Sequence, residues 1–460
     1  MGAIFSVTIF LSAWLLFLVQ PMFSKMVLPL MGGGAFVWNT CVLFFQLTLL
    51  AGYLYSHLAT RYLGVRRHLW AHLALIGLTL LALPVRLRAG PPPPGAEPVG
   101  WLLLLLTSSI ALPFFILSTT GPLLQRWFAE TDHPGAANPY FLYSASNAGS
   151  LLALAMYPFI VEPRLRLVEQ RAAWSAGYAV VIVLIGLCAW RVARSYGARV
   201  PDAAPLTGRS GYSAPPLTIL HWVLLAAVPS GMMLAITTYL TTDITPAPLL
   251  WVIPLGLYLL SFVLVFARRP RPSHRFWVRW QPMLLICVAL FLFWGSAAVA
   301  PVIIPFHLVA FFFTAMVCHG ELVRTKPPVE GMTGFYLWMS VGGAVGGAFC
   351  AIVAPLVFKS IAEYAWLIVA ACVLRPSVGA RRRLAPADVA LLPAIGLLAV
   401  VTTLRATGSG RFRTDVPAFP LLIAVSCALV ALLLYRLRDQ PIRLAAGTAL
   451  LLCVGPVVLG

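Results

Sequence analysis

Phe335-Tyr-Leu-Trp-Met-Ser-Val-Gly-Gly-Ala-Val-Gly-Gly-Ala-Phe-Cys350 runs on without a charge through Pro355 to Phe358. A bilayer core of about 30 Å needs roughly 20 apolar residues in a helix, and this stretch supplies them. Gly342 and Gly346, Gly343 and Gly347, and Ala344 and Ala348 are each four residues apart. That spacing strips one side of the helix and predicts that a neighbouring backbone packs closely against it. An echo lies 194 residues earlier, where Phe141-Leu-Tyr-Ser-Ala-Ser-Asn-Ala-Gly-Ser150 opens another apolar run. Phe141, Ser146 and Gly149 fall level with Phe335, Ser340 and Gly343, so one helix pattern occurs twice, and Gly149 joins the expected packing glycines.

Composition agrees with a chain built of such helices. Of 460 residues, 61% are hydrophobic and only 10% charged, which places the protein in a lipid bilayer. Lipid admits only helices or a closed barrel, and the continuous apolar runs select helices. A formal net charge of +19 could suit nucleic acid, but the basic residues stand in short groups between apolar runs, where membrane topology explains them and no nucleic-acid partner is expected. The eight cysteines lie in or at the ends of apolar runs without a CxxC pair, which predicts packing and no metal site.

Fifteen spans are expected, at 3–20, 36–58, 69–84, 101–124, 141–162, 172–190, 218–240, 249–267, 281–296, 299–318, 332–358, 362–374, 388–404, 418–435 and 444–459. The first lacks a basic leader and a small-residue cleavage site, so it is read as retained. With the N-terminus in the cytoplasm, the internal connections hold 22 Lys or Arg and the external ones 10. Arg268-Arg-Pro-Arg271 and Arg381-Arg-Arg383 carry much of this bias, which follows the positive-inside rule. The division is then a six-helix half at 1–190, a basic cytoplasmic linker at 191–217, a second half at 218–375, and about three further helices at 376–460. Two six-helix halves with a matched glycine-rich fifth helix resemble the major facilitator fold. The all-α expectation is a major-facilitator-like pair of halves plus C-terminal helices.

Four stretches carry a closer resemblance: Leu18-Val-Gln-Pro-Met-Phe-Ser-Lys-Met-Val-Leu-Pro-Leu-Met-Gly-Gly33, Asn138-Pro-Tyr-Phe-Leu-Tyr-Ser-Ala-Ser-Asn-Ala-Gly-Ser150, Cys318-His-Gly-Glu-Leu-Val-Arg324 and Phe335-Tyr-Leu-Trp-Met-Ser340. Over most of residues 1–375 the chain resembles the membrane region of the bacterial fused transporter/spermidine-synthase-like proteins. The resemblance implies a multi-pass protein of the bacterial inner membrane. In that family the membrane region precedes a soluble aminopropyltransferase-like domain, which would use a decarboxylated S-adenosylmethionine-type donor. Within these 460 residues no strand, glycine-rich turn and acidic residue are arranged to hold an adenosyl nucleotide, so neither catalysis nor a cofactor is expected here. Two functions stay open. One is a transporter moving a small, cationic, polyamine-like solute by alternating access; the other is a non-transporting anchor for a soluble aminopropyltransferase-like partner.

Ionisable groups at membrane depth are costly, so the few present are the candidate site residues. Lys25 stands between Pro21 and Pro29, either facing a cavity or snorkelling to the interface. Glu162, Asp243 and Glu321 close or follow spans five, seven and ten, either as a cation or proton site or as boundary carboxylates that cap helices or pair with Arg. His319, Glu321, Arg324 and Lys326 cluster in sequence where a pH-sensitive gate could sit. Asn147 lies within span five, where an unpaired amide is costly, so it is expected to bond to another helix or to substrate.

Overall fold

A computed structural model describes residues 2–31, 35–95, 97–198, 212–240, 252–267, 272–294, 300–358, 362–377, 393–397 and 418–454. Asp243, residues 199–211 of the basic linker and both arginine runs lie outside the described residues. The described elements are helices, with no strand among them. We number them α1 (Gly2–Val27), α2 (Ala35–Tyr62), α3 (Gly64–Thr79), α4 (Pro98–Ala129), α5 (Phe141–Met156), α6 (Leu167–Ala198), α7 (Pro216–Tyr239), α8 (Val252–Val265), α9 (His274–Trp294), α10 (Ala300–Arg324), α11 (Met332–Ala348), α12 (Ala362–Val373), α13 (Ala418–Arg436) and α14 (Pro441–Val454).

Among the described residues nine helical segments are long and apolar enough to cross a membrane, and five shorter apolar helices accompany them. This is an all-α polytopic membrane protein. The surface says the same: Leu47, Leu54 and Leu58 are exposed on α2, as are Val180, Val183 and Leu187 on α6. Water would penalise such apolar stripes, whereas hydrocarbon accepts them. The helices overlap the expected spans apart from the run at 388–404, of which only 393–397 is described. Helix α3 starts five residues before the expected 69, because Arg66 and Arg67 belong to its first turn.

The chain forms two compact units, one of Met1–Val223, Leu259–Pro270 and Thr325–Val341, the other of Leu224–Tyr258, Arg271–Arg324 and Gly342–Gly460. In the first unit α1 packs against α4, α5 and α6. A helix apolar on every side has no face for water, and α1 accordingly buries Phe5, Ile9, Val19 and Phe23 completely or nearly so. Polar threads fix its depth: Trp174 Nε1 of α6 donates to the Leu15 carbonyl at 2.8 Å, and Ser12 Oγ of α1 donates to the Leu117 carbonyl of α4 at 3.3 Å. In the second unit α9 packs against α10, α13 and α14, and α12 against α14.

The two echoed helices share a feature beyond their glycines. Helix α5 passes into a π-turn at Tyr157–Val161, and α11 into one at Phe349–Val353. Pro158 lies within the first turn and Pro355 two residues after the second. Each proline lacks the N–H that would continue the helical ladder, and the widened turn absorbs the mismatch.

Candidate functional site

In the first unit, Lys25 near the C-terminal end of α1 is ion-paired with Glu162, which follows the π-turn after α5. The extensive packing of α1 on α5 brings the two together across 137 residues. Lys25 also lies 6.0 Å from the ring centre of Tyr157, in the π-turn itself. Both charged side chains remain over a third exposed, at 37% and 42%, so the pair is wet and easily opened.

In the second unit, Glu321 near the end of α10 holds two basic groups on one oxygen. His274 Nε2, at the start of α9, lies 2.6 Å from its Oε1, and Arg324 Nη1 lies 3.0 Å from the same atom. Gly320 makes the approach feasible: a Cβ there would sit 2.2 Å from His274 Nδ1. The carboxylate is 9% exposed, so partners on both sides offset much of what desolvation costs. His319 is fully buried, with its imidazole edge-on to the Tyr258 ring at 5.1 Å.

Lys326 belongs with other residues. Within the first unit its Nζ donates to Asn138 Oδ1 at 3.2 Å and lies 4.4 Å from the ring centre of Tyr140. Burial holds its ammonium below the ordinary lysine range. The phenol of Tyr140 donates to the Pro327 carbonyl at 2.8 Å and is raised above its ordinary range, first by burial and then by Tyr212 and Glu330. Asn147 corrects its expectation: its Nδ2 donates to the Tyr143 carbonyl one turn back in α5, at 2.8 Å, so its own helix supplies the acceptor.

The glycines divide. A Cβ on Gly149 would meet the Phe10 carbonyl oxygen of α1 at 2.2 Å, and one on Gly346 would meet the Ala227 carbonyl oxygen of α7 at 2.2 Å. Gly342 and Gly347 are buried. Gly343 departs from the expected close packing, since a Cβ there would meet nothing within 4 Å; its carbonyl instead accepts from Ser230 Oγ at 2.9 Å. Among the described residues no three His, Cys, Asp or Glu side chains gather as a metal site.

No protein-family profile matches the chain, and no curated protein matches it.

Sequence reasoning missed two groups. His274 stands 47 residues before its partner, in a stretch read as a loop, and only its place at the same expected membrane end as Glu321 pointed to it. The other group lies at the start of the echoed helices. Tyr336 of α11 is fully buried and donates to Gln125 Oε1 of α4 at 2.6 Å, while Tyr143 of α5 stacks on its ring at 5.0 Å and 22°. Gln125 uses its Nε2 on the Gly121 carbonyl at 3.1 Å, so the amide is held at both ends. Both tyrosines sit in the quoted repeat stretches, but no spacing rule links them to Gln125.

Proposed function

We propose that the protein is a transporter-like membrane protein of the bacterial inner membrane, with major-facilitator-like halves, that moves a small solute by alternating access. One observation carries this reading: both copies of the repeated helix use a glycine to seat a neighbouring carbonyl, Gly149 on Phe10 and Gly346, three residues past the position level with Gly149, on Ala227. Internal repeats of this kind are how many secondary transporters are built. The following π-turns support it further, because single π-turns within helices are frequent at functional sites.

The cargo class we propose is cationic and polyamine-like. The resemblance to the transporter/spermidine-synthase-like proteins supports it, as do the two paired carboxylates, Glu162 and Glu321. An ammonium group could take the place of Lys25 or His274 and keep a charge-assisted hydrogen bond at the vacated oxygen. The test is flux of labelled spermidine in proteoliposomes under several pH gradients. Flux that falls sharply in Glu321→Gln is the expected result; no flux in the parent protein under any gradient would end the reading. The second reading, an anchor for an aminopropyltransferase-like enzyme, rests on the same resemblance. A soluble synthase-like domain encoded directly downstream would favour it.

A further inference from the structure

A cluster in the first unit has no part in the ion pairs or the glycine contacts. His68 and His72 stand one turn apart on α3, and both are buried, at 0% and 1% exposure. Tyr55 of α2 and Trp127 of α4 close around them. Ring centres are 5.8 Å apart for Tyr55 and His68, 5.9 Å for Tyr55 and His72, and 6.1 Å for the two histidines. Trp127 lies 6.2 Å from His68 and 5.9 Å from His72, edge-on to both. Five polar atoms in this group are buried without a hydrogen-bond partner: Tyr55 Oη, both nitrogens of His68, His72 Nδ1 and Trp127 Nε1. Buried polar groups are almost always satisfied, so this concentration of unmet capacity points to a ligand.

The two imidazole ring centres are 6.1 Å apart. A metal ion bound at about 2.0–2.1 Å to an imidazole nitrogen stands roughly 3.2 Å from the ring centre, so the spacing of the two rings suits one ion held by both. The phenol oxygen projects farther from its ring than an imidazole nitrogen does, and the Tyr55 ring centre stands 5.8 and 5.9 Å from those of the histidines. Two histidines at i and i+4 on one helix are also a fixed bidentate pair, the arrangement that helical zinc sites use.

We propose that His68, His72 and Tyr55 bind a single borderline divalent metal ion of the zinc type. Imidazole nitrogens suit such ions. The two imidazoles would bind neutral, and Tyr55 would lose its O–H proton to solvent as its oxygen joins the metal. That gives one new metal–oxygen bond and one released proton, and the phenolate offsets half of the buried divalent charge. A water in the fourth position would supply the acceptor that Trp127 Nε1–H lacks. The proposal is independent of the transport reading.

The test uses untagged, chelator-stripped protein in detergent, titrated with Zn2+ against a chromogenic chelator and with Co2+ by visible absorption. One equivalent of metal per chain and a four-coordinate Co2+ band are expected. Binding should weaken by at least about tenfold in His68→Gln and in His72→Gln, and Tyr55→Phe should bind without releasing the proton. His133→Gln and His221→Gln should bind as the parent does. X-ray absorption of the zinc-loaded parent needs no variant to fold, and it should count two imidazole ligands. Absence of stoichiometric metal, unchanged binding in the His68 and His72 variants, or fewer than two imidazoles in the parent would each overturn the site.

Discussion

His274 Nε2 and Glu321 Oε1 lie 2.6 Å apart because position 320 has no side chain. An alanine there would put its Cβ 2.2 Å from His274 Nδ1 and 2.6 Å from Cε1, so the ring would have to leave Glu321. Gly320→Ala should therefore destabilise the detergent-solubilised protein by about 1–3 kcal/mol, the cost of a buried carboxylate losing a partner. Thermal unfolding followed by tryptophan fluorescence reads this directly. In a His274→Ala background the same change should cost almost nothing, since the clashing ring is gone. Equal cost in both backgrounds would place the effect elsewhere.

The glycine-rich helices give a contrast within one helix. Gly346→Ala drives a Cβ into the Ala227 carbonyl at 2.2 Å and the Gly231 nitrogen at 2.9 Å, both backbone atoms that cannot swing away. Gly149→Ala meets the Phe10 carbonyl in the same way. Both should lower the yield of monodisperse protein on size exclusion, whereas Gly343→Ala, which meets open space, should leave it unchanged. A matching loss at 343 would mean that the helix is rotated from its place in this structure.

Membrane class and helix positions were legible because lipid forbids nearly everything except continuous apolar helices, and such runs are visible in a sequence. The rotation of each helix was not. Gly342/Gly346 and Gly343/Gly347 have the same four-residue spacing but differ by about 100° around the axis, and only packing tells which pair meets a neighbour. Asn147 was misjudged for a related reason, since the choice between a carbonyl one turn back and one on another helix depends on a rotamer. Glu162 and Glu321 were legible as candidates because charge is rare in such a chain. Lys25 and His274 as their partners were not, because nothing in spacing links residues 137 or 47 apart.

The tyrosine held by Gln125 makes a prediction about a buried pair. Tyr336→Phe removes the donor to Gln125 Oε1 and leaves that oxygen buried and unsatisfied, which should cost about 1–3 kcal/mol. Gln125→Leu in the same chain removes the orphaned acceptor, so the double variant should recover part of the loss. A double-variant cycle by thermal unfolding measures the coupling, and strict additivity would show that the 2.6 Å contact contributes nothing.

Orientation can be checked without knowing the cargo. The 22 to 10 distribution of basic residues predicts that the segment before α9 faces the cytoplasm and the segment before α4 faces outward. In intact cells, a reagent that cannot cross the membrane should miss a cysteine placed at Ser273 and reach one placed at Ala96, in a background freed of the native cysteines. The reverse labelling would invert the topology.

The ion pair between Lys25 and Glu162 separates structure from function. Because its side chains are 37% and 42% exposed, water and salt screen the attraction, and such pairs contribute about 0–1 kcal/mol. Lys25→Met and Glu162→Gln should therefore each shift the unfolding temperature by only a few degrees at most. Flux is a different matter if the pair must open and close as the solute passes, because losing either partner then removes one of two states rather than a small part of stability. The expected outcome in proteoliposomes is a large fall in transport beside a small change in unfolding temperature. The charge swap Lys25→Glu with Glu162→Lys should restore part of the flux, since it restores the pair while reversing its direction. If the single variants transport as the parent does, the pair is an ordinary surface contact at the ends of α1 and the π-turn. If they unfold many degrees lower, the pair is less solvated than its exposure shows, and its role is structural.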